Sequence, residues 1–259
     1  MIEVFTHLLI DTSYIERKWL DLPYAYHSEA QKLDIYLPNS GMGPFPIIVL
    51  IHEGGWMDGD KGDVRNELFF EALNRNYAVV CINYRLSDKA KFPCQIYDCK
   101  AAIRYIRANE KKYRLDSKHI GVWGASAGGY LAALLGTSAK AKGLEDLSIR
   151  NSNTRTSTQV QAVVVWYGPI ESFLTMDKEL AKSGKGVPNH SGPDSPESRL
   201  LGRTITDVPA LVEYASPMTY IDVNTPPFLI QHGLQDEVVP VGNLSILPLS
   251  LRRLLVTVK

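Results

Sequence analysis

Polar and apolar positions alternate in one early stretch of the chain and then give way to unbroken apolar runs. Lys32-Leu33-Asp34-Ile35-Tyr36-Leu37 alternates and stops at Pro38, which predicts an early antiparallel strand. Pro46-Ile47-Ile48-Val49-Leu50-Ile51 is continuous and rich in β-branched residues, as expected of a strand covered on both faces. A helical pattern over 64–74 separates it from a second buried strand over 77–83. Next, 95–112 places Ile96, Cys99, Ala102, Ile103 and Ile106 on one stripe with lysines and arginines outside it. Further strands are predicted over 119–124, 160–166 and 227–231, with 130–135 as the helix behind the first of these three. Strand and helix in alternation imply an α/β fold: a mostly parallel central sheet flanked by helices, with sites at the carboxyl ends of its strands. Residues 1–259 read as a single domain. Approximately 170–220, rich in Gly, Pro, Ser and Lys and without a buried-strand pattern, reads as a cap or lid insertion of short helices.

Composition narrows the function. With 45% hydrophobic and 22% charged residues among 259, the chain can bury a full core. Lys+Arg and Asp+Glu number 28 each, so no basic field points to nucleic acid or a membrane surface, and a neutral or weakly charged small molecule suits the balance. Cys81, Cys94 and Cys99 are an odd count without zinc spacing, and the histidines and carboxylates lack ligand spacing, so no disulfide framework, metal or cofactor is implied. The first residues lack a basic segment leading into an apolar one, and no apolar run is long enough to span a bilayer. A cytoplasmic location is the default expectation, with secretion behind a removed leader left open.

Candidate chemistry sits at the predicted strand ends. Gly124-Ala125-Ser126-Ala127-Gly128 falls between a strand and a helix, where a strained turn presenting a serine needs small neighbours. His52-Glu53-Gly54-Gly55-Trp56 follows an earlier strand, and its glycine N–H groups, with that of Ala127, suit an oxyanion. For the His52 imidazole a structural role within its own loop is the favoured reading. Asp236 lies just beyond the 227–231 strand, where an acid can orient an imidazole; an exposed loop carboxylate is usually only solvated, and Glu237 is its neighbour and competitor. Trp56, Tyr130 and Tyr167 are candidates for lining a substrate pocket, although aromatic residues beside strand ends more often simply pack.

Together these segments resemble the α/β-hydrolase esterase/lipase superfamily, specifically the BD-FAE-like carboxylesterases related to hormone-sensitive lipase. The resemblance rests on the elbow and glycine turn, Gly59-Asp60-Lys61, Asn83-Tyr84-Arg85-Leu86, Asp98 to Arg107, Trp166-Tyr167-Gly168-Pro169, Ala215-Ser216-Pro217, and His232-Gly233 followed by Asp236. It implies Ser126 as nucleophile, Asp236 as triad acid, and the N–H groups of Gly54, Gly55 and Ala127 as oxyanion hole. It also implies hydrolysis of small acyl esters, among them acetyl or feruloyl esters of plant polysaccharides. A non-catalytic ligand-binding protein and a formamidase-like amidase are the alternatives.

Two departures stand out. Glu53 occupies the first glycine position of a turn that in this group reads His-Gly-Gly-x-Trp, and its side chain is expected to point away from the site. All six histidines precede Asp236, whereas such hydrolases order their triad Ser, Asp, His. The stretch from Val241 to Lys259, interrupted by Pro248, reads as a truncated or frame-shifted, incomplete C-terminal end. It is expected to impair activity and to leave a bare sheet edge through which copies could associate.

Overall fold

The unbroken apolar runs fold into the interior of one sheet, and the alternating run lies nearer its edge. The structure, a computed structural model, describes residues 8–141, 143–146 and 156–241 and the backbone of Leu255–Val258. Among the described residues eight strands form this sheet: β1 (Lys18–Pro23), β2 (Lys32–Tyr36), β3 (Phe45–Ile51), β4 (Ala78–Ile82), β5 (Leu115–Ala125), β6 (Ala162–Trp166), β7 (Phe228–Gly233) and β8 (Leu255–Val258). Their order is β1-β2-β4-β3-β5-β6-β7-β8. β2 is antiparallel to β1 and β4, and every pair from β4 to β8 is parallel.

Successive residues of each inner strand serve opposite faces. Val49, Val80, Val122, Val165 and Ile230 share a core with α1 (Cys94–Ala108) and α2 (Ser126–Thr137). Leu50, Val79 and Cys81, with Tyr36, meet Phe69, Phe70 and Leu73 of a 3₁₀ helix, Val64–Arg75, on the other face. Each such buried side chain contributes about 1.5–3 kcal/mol relative to exposure. Asp63 starts the 3₁₀ helix by accepting the Arg65 N–H, and Asn76 ends it in the left-handed region. α1 stops short of the predicted 112 because Asn109 turns the chain: its N–H and its side-chain amide both donate to the Tyr105 carbonyl.

Within 170–220 the chain forms α3 (Met176–Ser183), α4 (Pro196–Leu201) and α5 (Pro209–Ala215) with short 3₁₀ turns between them. Phe173, Leu200, Ile205 and Val212 are buried in the same core as α1 and α2, and the Tyr130 hydroxyl donates to the Ala215 carbonyl at 2.6 Å.

Two strands escape the sequence pattern. β1 breaks its alternation at a bulge between Trp19 and Leu22, where Asp21 is left-handed and donates its N–H to Asp34. β8 corrects the expectation of a bare edge beside β7: Ile230–Gly233 pairs in parallel with Leu255–Val258, a β-branched stretch suited to completing the ladder. Pro248 lies outside the described residues.

The loop after β4 is held from below by Asp98, fully buried in α1, whose carboxylate accepts from Gln31, the Arg85 N–H and the Arg85 guanidinium at 2.7–3.1 Å. Removing it strands a largely buried cation, so Asp98→Ala should cost about 3–5 kcal/mol. Urea unfolding would show this; a loss under about 1 kcal/mol would mean the brace is solvated after all.

Candidate active site

Parallel register brings the chemically capable residues to one end of the sheet. Ile51 pairs with Gly124, Ala125 with Trp166, and Trp166 with Gln231, so Glu53, Ser126, Tyr167 and His232 gather at the same end of neighbouring strands. Ser126 opens α2 in the left-handed region at φ 48°, the strained conformation of a nucleophile elbow.

That turn exists because three backbones nearly touch. A Cβ on Gly128 would lie 2.1 Å from the Ile51 carbonyl oxygen, and one on Gly124 would lie 2.2 Å from the Gly128 oxygen. Gly129 is tight as well: its Cβ would meet the Trp166 oxygen at 3.0 Å and the Gly168 Cα at 3.2 Å. The sequence motif ends at Gly128 and so misses Gly129 and Gly168, which let the elbow sit against β6. A longer run of small residues, 124–129, was the available signal.

Ala127 stands in the first turn of α2, where backbone N–H groups have no intrahelical acceptor and the helix dipole favours negative charge. Opposite it, Gly54 and Gly55 both have positive φ, 114° and 58°. The Gly54 carbonyl accepts from Met57 and Asp58, and a Cβ on Gly54 would strike the Asp58 oxygen at 2.1 Å. The turn is therefore wound tightly, with the strand end beside the elbow. This arrangement can present amide donors to a developing oxyanion.

Glu53 does not turn away. Its Oε1 accepts from Arg65 Nη1 at 2.8 Å, and the Tyr167 hydroxyl donates to its Oε2 at 3.4 Å. β3 and β6 both flank β5, so this contact crosses the strand end that carries Ser126. Burial and the negative charges of Glu53 and Asp236 push the Tyr167 hydroxyl up to about 12, which keeps it protonated and donating. Neither Arg65 nor the clasp was visible in the sequence.

Of the three aromatic candidates, the structure places Trp56 and Tyr130 in the core rather than on a pocket wall. They are 2% and 0% exposed, stacked edge to face at 5.2 Å and backed by Phe173. Burial of both rings between α2 and the 170–220 segment leaves them no open face. Tyr167 is half-buried and stays beside the elbow.

Asp236 is ordered. Its Oδ1 accepts the N–H groups of Val238 and Val239 at 2.9 and 2.8 Å, and His232 Nε2 stands 3.3 Å from Oδ2. Burial would raise the carboxyl, but the His232 and backbone hydrogen bonds hold it below the usual carboxylate range. Its neighbour Glu237 is exposed.

The buried histidines are committed elsewhere. His52 Nδ1 donates to the Glu53 carbonyl at 2.8 Å and its ring stacks on Tyr84 at 4.3 Å, in agreement with a structural role. Gly59 is required there, since a Cβ would come within 2.4 Å of His52 Nδ1. His232 Nε2 donates to the Val239 carbonyl at 2.9 Å, and β7 is two strand spacings, roughly 10 Å, from β5. His190 bonds to Glu197 and to the Val238 carbonyl. His27 and His119 are exposed, and His7 lies outside the described residues.

The fold and the elbow define an α/β-hydrolase. The chain belongs to the BD-FAE family, whose profile matches residues 33–249. It is similar to esterase LipC of Mycobacterium tuberculosis, 31% identical over 82% of this chain and 50% of that protein. Among solved structures it resembles a truncated form of a carbohydrate esterase from gut microbiota, 33% identical with a TM-score of 0.78, covering 90% of this chain and 82% of the other. It also resembles a bifunctional GH43-CE protein of Bacteroides eggerthii, 38% identical with a TM-score of 0.76, covering 86% and 29%. The chain spans about half the length of the curated relatives it matches. Among the described residues no helix is long and apolar enough to cross a membrane.

Two outcomes are expected. Gly128→Ala must push a methyl into backbone and should cost at least about 3 kcal/mol, whereas Gly129→Ala needs shifts of tenths of an ångström and should cost about 1–2. Urea titration ranks them, and the reverse order would refute the elbow's packing as described. Burial also lowers His52 to about 4 against an ordinary value near 6.5, so between these the unfolded chain binds a proton that the folded chain refuses. Stability should therefore fall by about 1.4 kcal/mol per pH unit as pH drops through that window. His52→Asn should remove this slope; an identical slope in both proteins would assign it to other groups.

Proposed function

We propose that this chain is the catalytic scaffold of a serine carboxylesterase acting on small acyl esters, with acetyl and feruloyl esters of plant polysaccharides as the substrate class. The observation that carries the reading is Ser126 held at φ 48° at the head of α2, next to a glycine turn with positive φ at both residues. In the proposed reaction Ser126 Oγ attacks the ester carbonyl, and the N–H groups of Ala127, Gly54 and Gly55 hold the oxyanion. The alcohol leaves, and water then releases the acid from the acyl-enzyme. Similarity to the truncated carbohydrate esterase from gut microbiota supports the polysaccharide class.

The proposal includes slow turnover by the 259-residue chain itself. Ser126 needs an acceptor for its proton, and among the described residues the three buried histidines have ring nitrogens engaged with other partners. Losing the triad histidine costs about 10⁶-fold in kcat, while binding and an oxyanion hole retain about 10³–10⁴-fold over water. The same observation favours a second reading, a ligand-binding protein on a hydrolase scaffold.

Joining a histidine-bearing C-terminal segment, such as that of a similar carbohydrate esterase, to this chain separates the two. Hydrolysis of p-nitrophenyl acetate and of acetylated xylan should rise at least about 10³-fold, and Ser126→Ala should abolish the gain. A correctly folded fusion with no gain on either ester would sink the esterase reading.

A further inference from the structure

His190 lies between α3 and α4 and is 5% exposed. Its Nδ1 is 2.9 Å from Glu197 Oε1 and its Nε2 is 2.8 Å from the Val238 carbonyl oxygen. A carbonyl accepts and cannot donate, and an ionised carboxylate is the same. A neutral imidazole carries one N–H, so it would set one nitrogen lone pair against an oxygen. Two N–H groups, and hence a cation facing the buried Glu197, satisfy both contacts.

The contact reaches the acid loop directly. The Val238 carbonyl accepts from His190 while the Val238 N–H donates to Asp236 Oδ1. The next residue repeats the arrangement, its carbonyl accepting from His232 and its N–H donating to the same Oδ1. Two histidines thus grip successive carbonyls of the turn that shapes Asp236. The 185–190 stretch adds two more ties: Lys185 Nζ donates to the Leu234 carbonyl at 3.0 Å, and Gly186 packs so closely that a Cβ would lie 1.9 Å from the Glu237 oxygen.

We infer that the doubly protonated His190, balanced by Glu197, is a positioning residue that docks the segment between α3 and α4 onto the Asp236 loop and holds that carboxylate in place. Its catalytic meaning rests on Asp236 being the triad acid, as proposed above. The charged groups facing it are Glu197 from α4 and Asp177 from α3, which accepts the His190 and Ser191 N–H groups; Asp236 and Glu237 belong to the loop it contacts, and Lys185 is the cation on its own segment. Burial alone would lower the imidazole, but its bond to Glu197 and the surrounding negative charge raise it above its ordinary value. A raised group contributes stability fully present below its unfolded value and lost as pH rises through its folded value. The clasp should therefore loosen on the alkaline side.

The test uses ring-nitrogen spectra and amide hydrogen exchange on the 259-residue chain, so its result does not depend on ester hydrolysis. At about pH 7 both His190 nitrogens should be protonated. Glu197→Gln, nearly isosteric, should lower the His190 titration by at least about one unit, and His190→Gln, whose amide cannot span both contacts, should speed exchange at Val238 and Val239 about tenfold at that pH, with β5 amides unaffected. A neutral His190 in the unmodified chain at about pH 7 overturns the inference, as does unchanged exchange in His190→Gln. Should neither variant fold, the unmodified chain decides: protection at Val238 and Val239, corrected for intrinsic exchange, must fall as His190 loses its proton, and flat protection overturns the inference.

Discussion

The site depends on a backbone crossing. The Ile51 carbonyl at the end of β3 fills the space where any side chain on residue 128 would begin, and Gly124 is closed off in turn by the Gly128 carbonyl. Only a chain without β-carbons at these points can pass from β5 into α2 so close to its neighbour. Ser126 is then forced into the left-handed region, a conformation costing about 1–3 kcal/mol that the surrounding packing must offset. The buried wall of α2 against β5 and β6 supplies that packing, which ties the reactive geometry to the core.

Residues of opposite purpose are sorted by how they leave the sheet. Polar side chains at the strand ends either stay beside the elbow, as Glu53 and Tyr167 do, or turn back to brace loops, as His52 and His232 do. Burial decides the histidines' roles. His52 is pressed against Tyr84 and kept neutral, whereas His190 meets a carboxylate and is raised, so two buried imidazoles are driven in opposite directions by different neighbours. Each is used as a hydrogen-bonding group, His52 through Nδ1 and His190 through both ring nitrogens.

Legibility in the sequence followed the range of the interaction. The inner strands and the elbow were readable because apolar runs and a glycine-serine motif are local signals. β1 was missed since a bulge at Asp21 spoils its period, and β8 since a short strand after a proline has no pattern of its own. Trp56 and Tyr130 pack in the core, the commoner fate of a ring beside a strand end, and the sequence alone leaves that open because such a ring looks alike whether it faces solvent or a covering segment. The Glu53–Arg65–Tyr167 contacts and the His190–Glu197 pair join residues brought together only by sheet register or by the packing of the 170–220 helices, which no local window reveals.

Glu53 shows how the site tolerates a charge where a glycine would have none. Arg65 reaches it with one nitrogen while its others bind Asp63, so the Glu53, Asp63 and Arg65 trio retains one net negative charge. An oxyanion forming at Ser126 would meet that charge unless it is directed elsewhere. The Tyr167 proton draws Glu53 Oε2 across to β6, and Arg65 draws Oε1 toward the 3₁₀ helix. The carboxylate is thereby held at both oxygens, and the N-terminus of α2, where Ser126 sits, supplies positive potential of its own. Glu53 thus adds a polar contact that crosses the end of β5, between the turns that follow β3 and β6.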